Sequence, residues 1–227
     1  MKKQKHITKS GGCIYMKYII DNINRMAGKY TPHQVFADWV EMSALSIAQS
    51  IEPDEKREES FLSIARKYSE DDFLMLGCLL GRLSFLLENS LDDYLGKIYM
   101  ELSTGNSHTG QFFTPFHVCE MMAGIALADY KGGIECLNEP SSGGGANILA
   151  YAKVMREKGY NYQRLLEVKA QDLDYKCVYM TYVQLSLVGV NAEVVQGNSL
   201  EGKHNVVLHT PMYVMRGGLS VKGRNNQ

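Results

Sequence analysis

The sequence has no excess of either charge. Its 24 lysines and arginines face 25 aspartates and glutamates, a formal net charge of −1. That balance gives no global attraction for nucleic acid, so any phosphate contact must come from a local patch. It has no apolar run long enough to span a bilayer. The basic start MKKQKHITK lacks the apolar stretch that a signal peptide places after its positive residues, and Met16 is an alternative start that would make it dispensable. There is no CxxC pair. Cys13, Cys78, Cys119, Cys136 and Cys177 are dispersed, which argues against zinc. An odd, scattered set without a secretion signal points to reduced thiols and a cytoplasmic location. Internal repeats and low-complexity segments are also missing.

What is present suits a soluble globular protein. The chain has 227 residues, 45% hydrophobic and 22% charged, enough for a real core in one domain or a domain plus a helical extension. The first hundred residues read as helices. In YTPHQVFADWVEMSALSIAQSIEP, Thr31 is placed as a cap and Pro32 at the first helical position. Phe36, Trp39, Val40, Ser43, Ile47 and Ile51 recur at helical spacing, and Pro53 marks the stop. DEKREESFLSIARKY is a charged amphipathic helix. SEDDFLMLGCLLGRLSFLLEN opens with Ser69 and Asp72 at capping-box spacing. It then turns strongly apolar, which predicts the most buried helix of this region.

After the polar boundary STGNSHTGQ the pattern alternates. TPFHVCEMMAGIALADY reads as a helix capped by Thr114, with Pro115 at its first position and Val118, Met121, Met122 and Ile125 as its apolar face. GIECLNEP, RLLEVKAQDLD, AEVVQGNSL and NVVLHTP read as strands. The helices between them close at Gly159 and Gly189. Alternating strands and helices imply βαβ units, a parallel sheet and an α/β fold.

Ligands of such sheets bind at the carboxyl ends of the strands. After the first strand, Gly143, Gly144 and Gly145 let the backbone approach a ligand beside a helix N-terminus. The spacing is neither GxGxxG nor a Walker A loop, and a tight turn is the plain alternative. After the second come Asp172, whose carboxylate can accept hydrogen bonds from a ribose diol, and Asp174, placed to cap the next helix. After the third, Asn198 can meet an adenine edge or serve as a turn residue. After the fourth comes HTPMY.

These residues make the chain, from about Asp92 to Tyr213, similar to the N6-adenine DNA methyltransferases, especially the modification subunits of type I restriction systems. DDYLGKIYMELSTGNSHTGQFFTP resembles the family's run into its G-Q-F/Y-F-T-P segment, here residues 110–115. EPSSGGGANIL, AQDLD and GNSL resemble its cofactor loop, its acidic segment and its adenine-side segment. The resemblance implies a Rossmann-like S-adenosylmethionine-dependent methyltransferase fold with a partial parallel sheet. An N-terminal helical region would cover residues 1–103 and the methyltransferase-like domain 104–227. It implies S-adenosyl-L-methionine as cofactor, held by Phe113, Thr114, Glu139, Gly143, Gly145, Asp172 and Asn198. The triple glycine, in place of G-S-G, makes the loop looser than the family's.

The family's N-P-P-Y/F motif maps onto Thr210, Pro211, Met212 and Tyr213. In the family an adenine leaves the duplex and enters a pocket. The aromatic stacks on it, and the Asn and Pro carbonyls orient the exocyclic amine toward the methyl group, so catalysis is positioning and electrostatics. The candidate catalytic residues are therefore Thr210, Pro211 and Tyr213. Thr210 keeps one hydrogen-bonding oxygen, whereas Met212 replaces a rigid proline by a flexible side chain. These departures imply adenine-N6 methylation of DNA that is impaired or depends on a partner. The alternative is a non-catalytic cofactor- or DNA-binding accessory module of a restriction-modification assembly. A sheet ordered 3-2-1-4 would leave the fourth strand as an open edge. A second copy, or a larger methyltransferase or specificity subunit, would be the partner, with no membrane involved. Arg216, Lys222 and Arg224 offer a small basic patch for DNA, or a solvated terminus.

Overall fold

The structure is a computed structural model that describes residues 9–103 and 113–220. Five helices come first: α1 (Lys9–Met26), α2 (Pro32–Ile51), α3 (Glu55–Ala65), α4 (Glu70–Asn89) and α5 (Tyr94–Ser103). Then follow α6 (Phe116–Ala126), β1 (Glu135–Glu139), α7 (Ala146–Glu157), α8 (Tyr162–Leu165), β2 (Leu166–Asp172), α9 (Tyr175–Val188), β3 (Asn191–Asn198), β4 (Lys203–His209) and α10 (Pro211–Met215). The basic N-terminal stretch, Gly110, Gln111, Phe112, Lys222 and Arg224 lie outside the described residues.

The caps work as their chemistry requires. The Thr31 hydroxyl accepts from the Gln34 amide while the Gln34 side chain accepts from the Thr31 amide, and Pro32 opens α2. Asp54, Ser69 and Asp174 each accept a first-turn amide. These bonds satisfy donors that a helix start leaves orphaned. Buried Phe36 and Trp39 anchor α2 in the core, and the Trp39 indole N–H donates to Leu76 O at 3.0 Å. Three expectations are corrected. α2 buries more residues than α4, whose Leu74 stays 60% exposed. Pro115, not Thr114, sits at the cap of α6, without a side-chain hydrogen bond. The Met121, Met122 and Ile125 face of α6 points outward, and Phe116, Cys119 and Ala123 are buried instead. The small residues Cys119 and Ala123 allow close approach to the neighbouring α7, and bulky methionines there would hold the helices apart.

β1, β2 and β3 are parallel and adjacent in that order. Two right-handed crossovers advancing in the same direction place α7 and α9 on one face of the sheet. Leu137, Val168 and Val194 line that face, each partly or fully buried. α2, α4 and α5 pack over α9, so the N-terminal helices form a third layer continuous with the sheet's hydrophobic core. The opposite sheet face is polar: Lys169 lies 3.5 Å from Glu193, and Glu193 lies 3.6 Å from the His209 ring.

The fourth strand departs from the 3-2-1-4 expectation. β4 pairs antiparallel with β3, so the order is β1-β2-β3-β4. The reason is chain length. Only residues 199–202 link β3 to β4, a reach of at most about 14 Å. A parallel strand beyond β1 needs a crossover of about a dozen residues or more. Four residues permit only a hairpin. Gly202 takes a left-handed φ of 66°, and the Glu201 and Gly202 amides both donate to Asn198 O.

Candidate functional site

The carboxyl ends of β1 and β2 frame a cavity of about 330 Å³ lined by Phe113, Thr114, residues 141–144, Ala146, Asn147, Asp172 and Cys177. Its floor is the glycine turn between β1 and α7. Each glycine there has a separate reason. Gly143 has φ 55°, and a Cβ on it would lie 3.0 Å from the Phe113 ring. A Cβ on Gly144 would lie 2.7 Å from both carboxylate oxygens of Asp93. Gly145 has φ 93° and serves as the left-handed N-cap of α7.

The turn is held at nearly every peptide, which corrects the expectation of a loose loop. Ser142 N donates to Gln171 O and Gly145 N to Ser142 O. Gly143 N donates to Asp172 Oδ2 at 2.8 Å. On the inner side α9 supplies two donors: the Thr181 hydroxyl to Gly143 O at 3.0 Å and Gln184 Nε2 to Gly144 O at 2.7 Å. Hydrogen bonds to these carbonyls turn them away from the cavity and leave the N-terminal end of α7 facing it, a setting suited to an anionic or polar ligand.

Asp172 Oδ1 also accepts the Asp174 amide at 3.0 Å. Each carboxylate oxygen has a second lone pair, so both can still accept ligand hydroxyls. Glu139 sits at the end of β1, accepting from Ser141 N and from Asn147 Nδ2 at 2.9 Å. The Asn147 Oδ1 is buried and has no hydrogen-bond partner among the described residues. A buried acceptor without a donor is costly unless a ligand or water supplies one. Phe113 packs on Tyr99 with ring centroids 5.5 Å apart, and Lys176 Nζ lies 5.6 Å from the Tyr99 ring centre. Burial, with Asp172 and Asp174 adding like charge, pushes the Cys177 thiol well above its ordinary range, so this cysteine is inert at neutral pH.

Of the cofactor residues expected from sequence, Phe113, Thr114, Gly143 and Asp172 line the cavity, Gly145 underlies it and Glu139 borders it through Asn147. Asn198 does not reach it. Its Oδ1 accepts from Leu200 N and its Nδ2 donates to Glu201 Oε1, so it acts as the residue that closes the β3–β4 turn. Thr210, Pro211 and Tyr213 are also not brought to the cavity. Thr210 is fully buried beside the N-terminal end of β3, with its hydroxyl donating to Val190 O at 2.7 Å. Pro211 opens α10, and the Tyr213 ring stacks on His209 at 4.1 Å with planes 5° apart. The cavity is at the other end of the strands, about 20 Å away for a strand of this length.

Sequence reasoning missed Asp93, Ser142, Asn147, Thr181 and Gln184. One signal was available for two of them. Thr181 and Gln184 are polar residues three apart on a mostly apolar helix, and both are fully buried.

The N-6 DNA methylase family model matches residues 91–216. That is more than half of the 227-residue chain. The chain belongs to the N-6 DNA methylase family. No curated protein sequence matches it. Among solved structures it is similar to a class I S-adenosylmethionine-dependent methyltransferase, so described provisionally, from Listeria monocytogenes. The identity is 13%, the match covers 83% of this chain and 54% of that one, and the TM-score is 0.48. It is also similar to the type I restriction-modification system methyltransferase subunit from Streptococcus thermophilus, at 14% identity over 81% of this chain and 57% of that one, with a TM-score of 0.40. The chain thus spans just over half the length of these structures. The N-6 DNA methylase match begins two residues before Asp93 and takes in the whole glycine turn, Asp172 and the β3–β4 hairpin. Among the described residues no helix is long and apolar enough to cross a membrane, and no His/Cys/Asp/Glu group has metal-binding geometry.

Proposed function

We propose that this N-6 DNA methylase family chain binds S-adenosyl-L-methionine in the cavity above the glycine turn and serves adenine-N6 methylation of DNA as a partner-dependent module. The observation that carries the reading is the clamped glycine turn opening onto the Asp172 carboxylate. When bound, the cofactor supplies an electrophilic methyl group on a sulfonium. The residues present fit such a ligand. Asp172 would accept the ribose hydroxyls, Phe113 would cover the ligand, and Glu139 with the unpartnered Asn147 Oδ1 would receive its ammonium group. Gly143 would let the backbone approach where any side chain meets Phe113.

Partner dependence is favoured over independent turnover by a second observation. Thr210 uses its hydroxyl within the fold, and Tyr213 is stacked on His209. Neither is disposed to hold an adenine beside the cavity. The target-base side of the site would come from a second copy or from a larger methyltransferase or specificity subunit, acting together on DNA in the cytoplasm. Residues 1–103 would then be the helical region and residues 104–227 the cofactor-binding part. A non-catalytic accessory module that retains cofactor binding is the other reading, supported by the same placement of Thr210.

Calorimetric titration of the protein with S-adenosyl-L-methionine tests the proposal, with Gly143→Asp and Asp172→Ala as controls. Saturable binding at micromolar concentrations, weakened about 100-fold or more in either variant, is expected. No detectable heat from the wild-type protein at high concentration would overturn it.

A further inference from the structure

Asp93 lies outside the cavity wall that the glycine turn presents to a ligand, at the start of α5. It is only 3% exposed. Its Oδ1 accepts two hydrogen bonds, from the Gly96 amide and from Gln184 Nε2, both at 2.8 Å. The same Gln184 amide group donates to Gly144 O, and its Oε1 accepts from Leu95 N at 3.2 Å. One glutamine of α9 thus joins α5 to the glycine turn. Two glycines make room for the carboxylate: a Cβ at Gly96 would lie 2.0 Å from Asp93 Oδ2, and one at Gly144 would lie 2.7 Å from it. An ordinary helix N-cap bonds its first turn and faces solvent. This one bonds its first turn through Gly96 and also supports the underside of the turn that carries the site.

We infer that Asp93 and Gln184 are positioning residues that lock the Gly144 peptide from below and thereby set the affinity of the cavity for an adenosyl ligand. The inference rests on the proposed cofactor reading for its ligand, but not for the lock. Fixing the turn before binding removes the ordering cost that a free glycine turn would impose on each ligand. It also makes the N-terminal helices part of the site, since α5 carries one end of the lock. Burial holds the Asp93 carboxyl above the usual carboxylate range, against the pull of its Gln184 and Gly96 hydrogen bonds. An asparagine matches it in shape and keeps the Oδ1 acceptor for Gly96 and Gln184.

The test is a double-mutant cycle on the full chain, read by calorimetry with S-adenosyl-L-methionine and by amide hydrogen exchange at residues 143–145. Asp93→Ala is expected to weaken binding about tenfold and to speed exchange in the turn by a similar factor, and Asp93→Asn to leave both within about twofold. Gly144→Ala is expected to do the same damage, because its Cβ would meet the carboxylate, and Asp93→Ala combined with Gly144→Ala to weaken binding about tenfold and not about a hundredfold, because both act on one contact. A plain capping role predicts lower stability with unchanged exchange at residues 143–145 and additive effects. Wild-type exchange in Asp93→Ala, or additivity in the cycle, overturns the inference. If the wild-type protein gives no binding heat, the cofactor reading fails, and the exchange data alone decide the lock.

Discussion

Thr210 pairs with both backbone polar groups of Ala192: its amide donates to Ala192 O at 3.0 Å, and its hydroxyl accepts from Ala192 N at 3.0 Å. A side chain thereby continues the β3–β4 ladder after β4 ends. The hydroxyl also receives the Tyr213 amide and so starts α10.

Thr210→Val keeps the shape and removes that oxygen, leaving the Ala192 and Tyr213 amides without their acceptor. The expected cost is about 1–3 kcal/mol, measured by urea unfolding. Binding of S-adenosyl-L-methionine should be unchanged, since the cavity lies at the other end of the sheet. A loss of binding without loss of stability would place Thr210 in the site after all.

Gly145→Ala forces a side chain into a left-handed N-cap with φ 93°, at a cost of about 1–2 kcal/mol or more. Its Cβ would lie 3.4 Å from Thr181 Oγ1, close but not clashing, so backbone strain and not overlap dominates. Thermal unfolding should show the loss, and calorimetry a weaker cofactor affinity. Gly159→Ala has φ 84° with open space around it. It should cost similar stability and leave the affinity alone.

Thiol alkylation separates the cysteines. Cys13, Cys78 and Cys136 are exposed, while Cys119 and Cys177 are buried. Burial pushes the Cys119 thiol up to about 11 and moves Cys177 in the same direction. A raised value means less thiolate at pH 8, so these two should react about 100-fold more slowly than the exposed three. Mass spectrometry of the native protein with iodoacetamide reads this, and denaturant should abolish the difference.

The outward face of α6 offers a fourth check. Met121 and Ile125 are 61% and 70% exposed, so Met121→Lys and Ile125→Lys should change stability by no more than about 0.5 kcal/mol. Ala123→Leu, on the buried side against α7, should destabilise by about 1–3 kcal/mol through overpacking. Denaturant midpoints decide between the two faces.

Much of the fold is written locally. Thr31 with Pro32, Ser69 with Asp72, and Gly189 at φ 73° mark helix ends by hydrogen-bonding and backbone chemistry that needs no distant partner. Apolar spacing places the elements for the same reason. The strand-end polar residues flag the glycine turn and Asp172, because parallel strands deliver their carboxyl ends to one side.

Three things depended on packing between distant residues. The apolar face of α6 cannot be assigned by periodicity, since Met121 and Ile125 are as hydrophobic as a core residue, while the small Cys119 and Ala123 decide which side meets α7. The direction of β4 follows from a four-residue connection and from β3 offering it an edge, so a motif that resembles an active-site loop extends the hairpin ladder past β4 and starts a helix. Asp93 lies 51 residues before Gly144, and only the tertiary fold puts its carboxylate beneath that glycine. The sequence by itself determined the element types and the chemistry at each strand end, because those depend on neighbours along the chain. Which strand ends share a cavity was decided by the tertiary structure, because strand pairing and burial depend on neighbours in space.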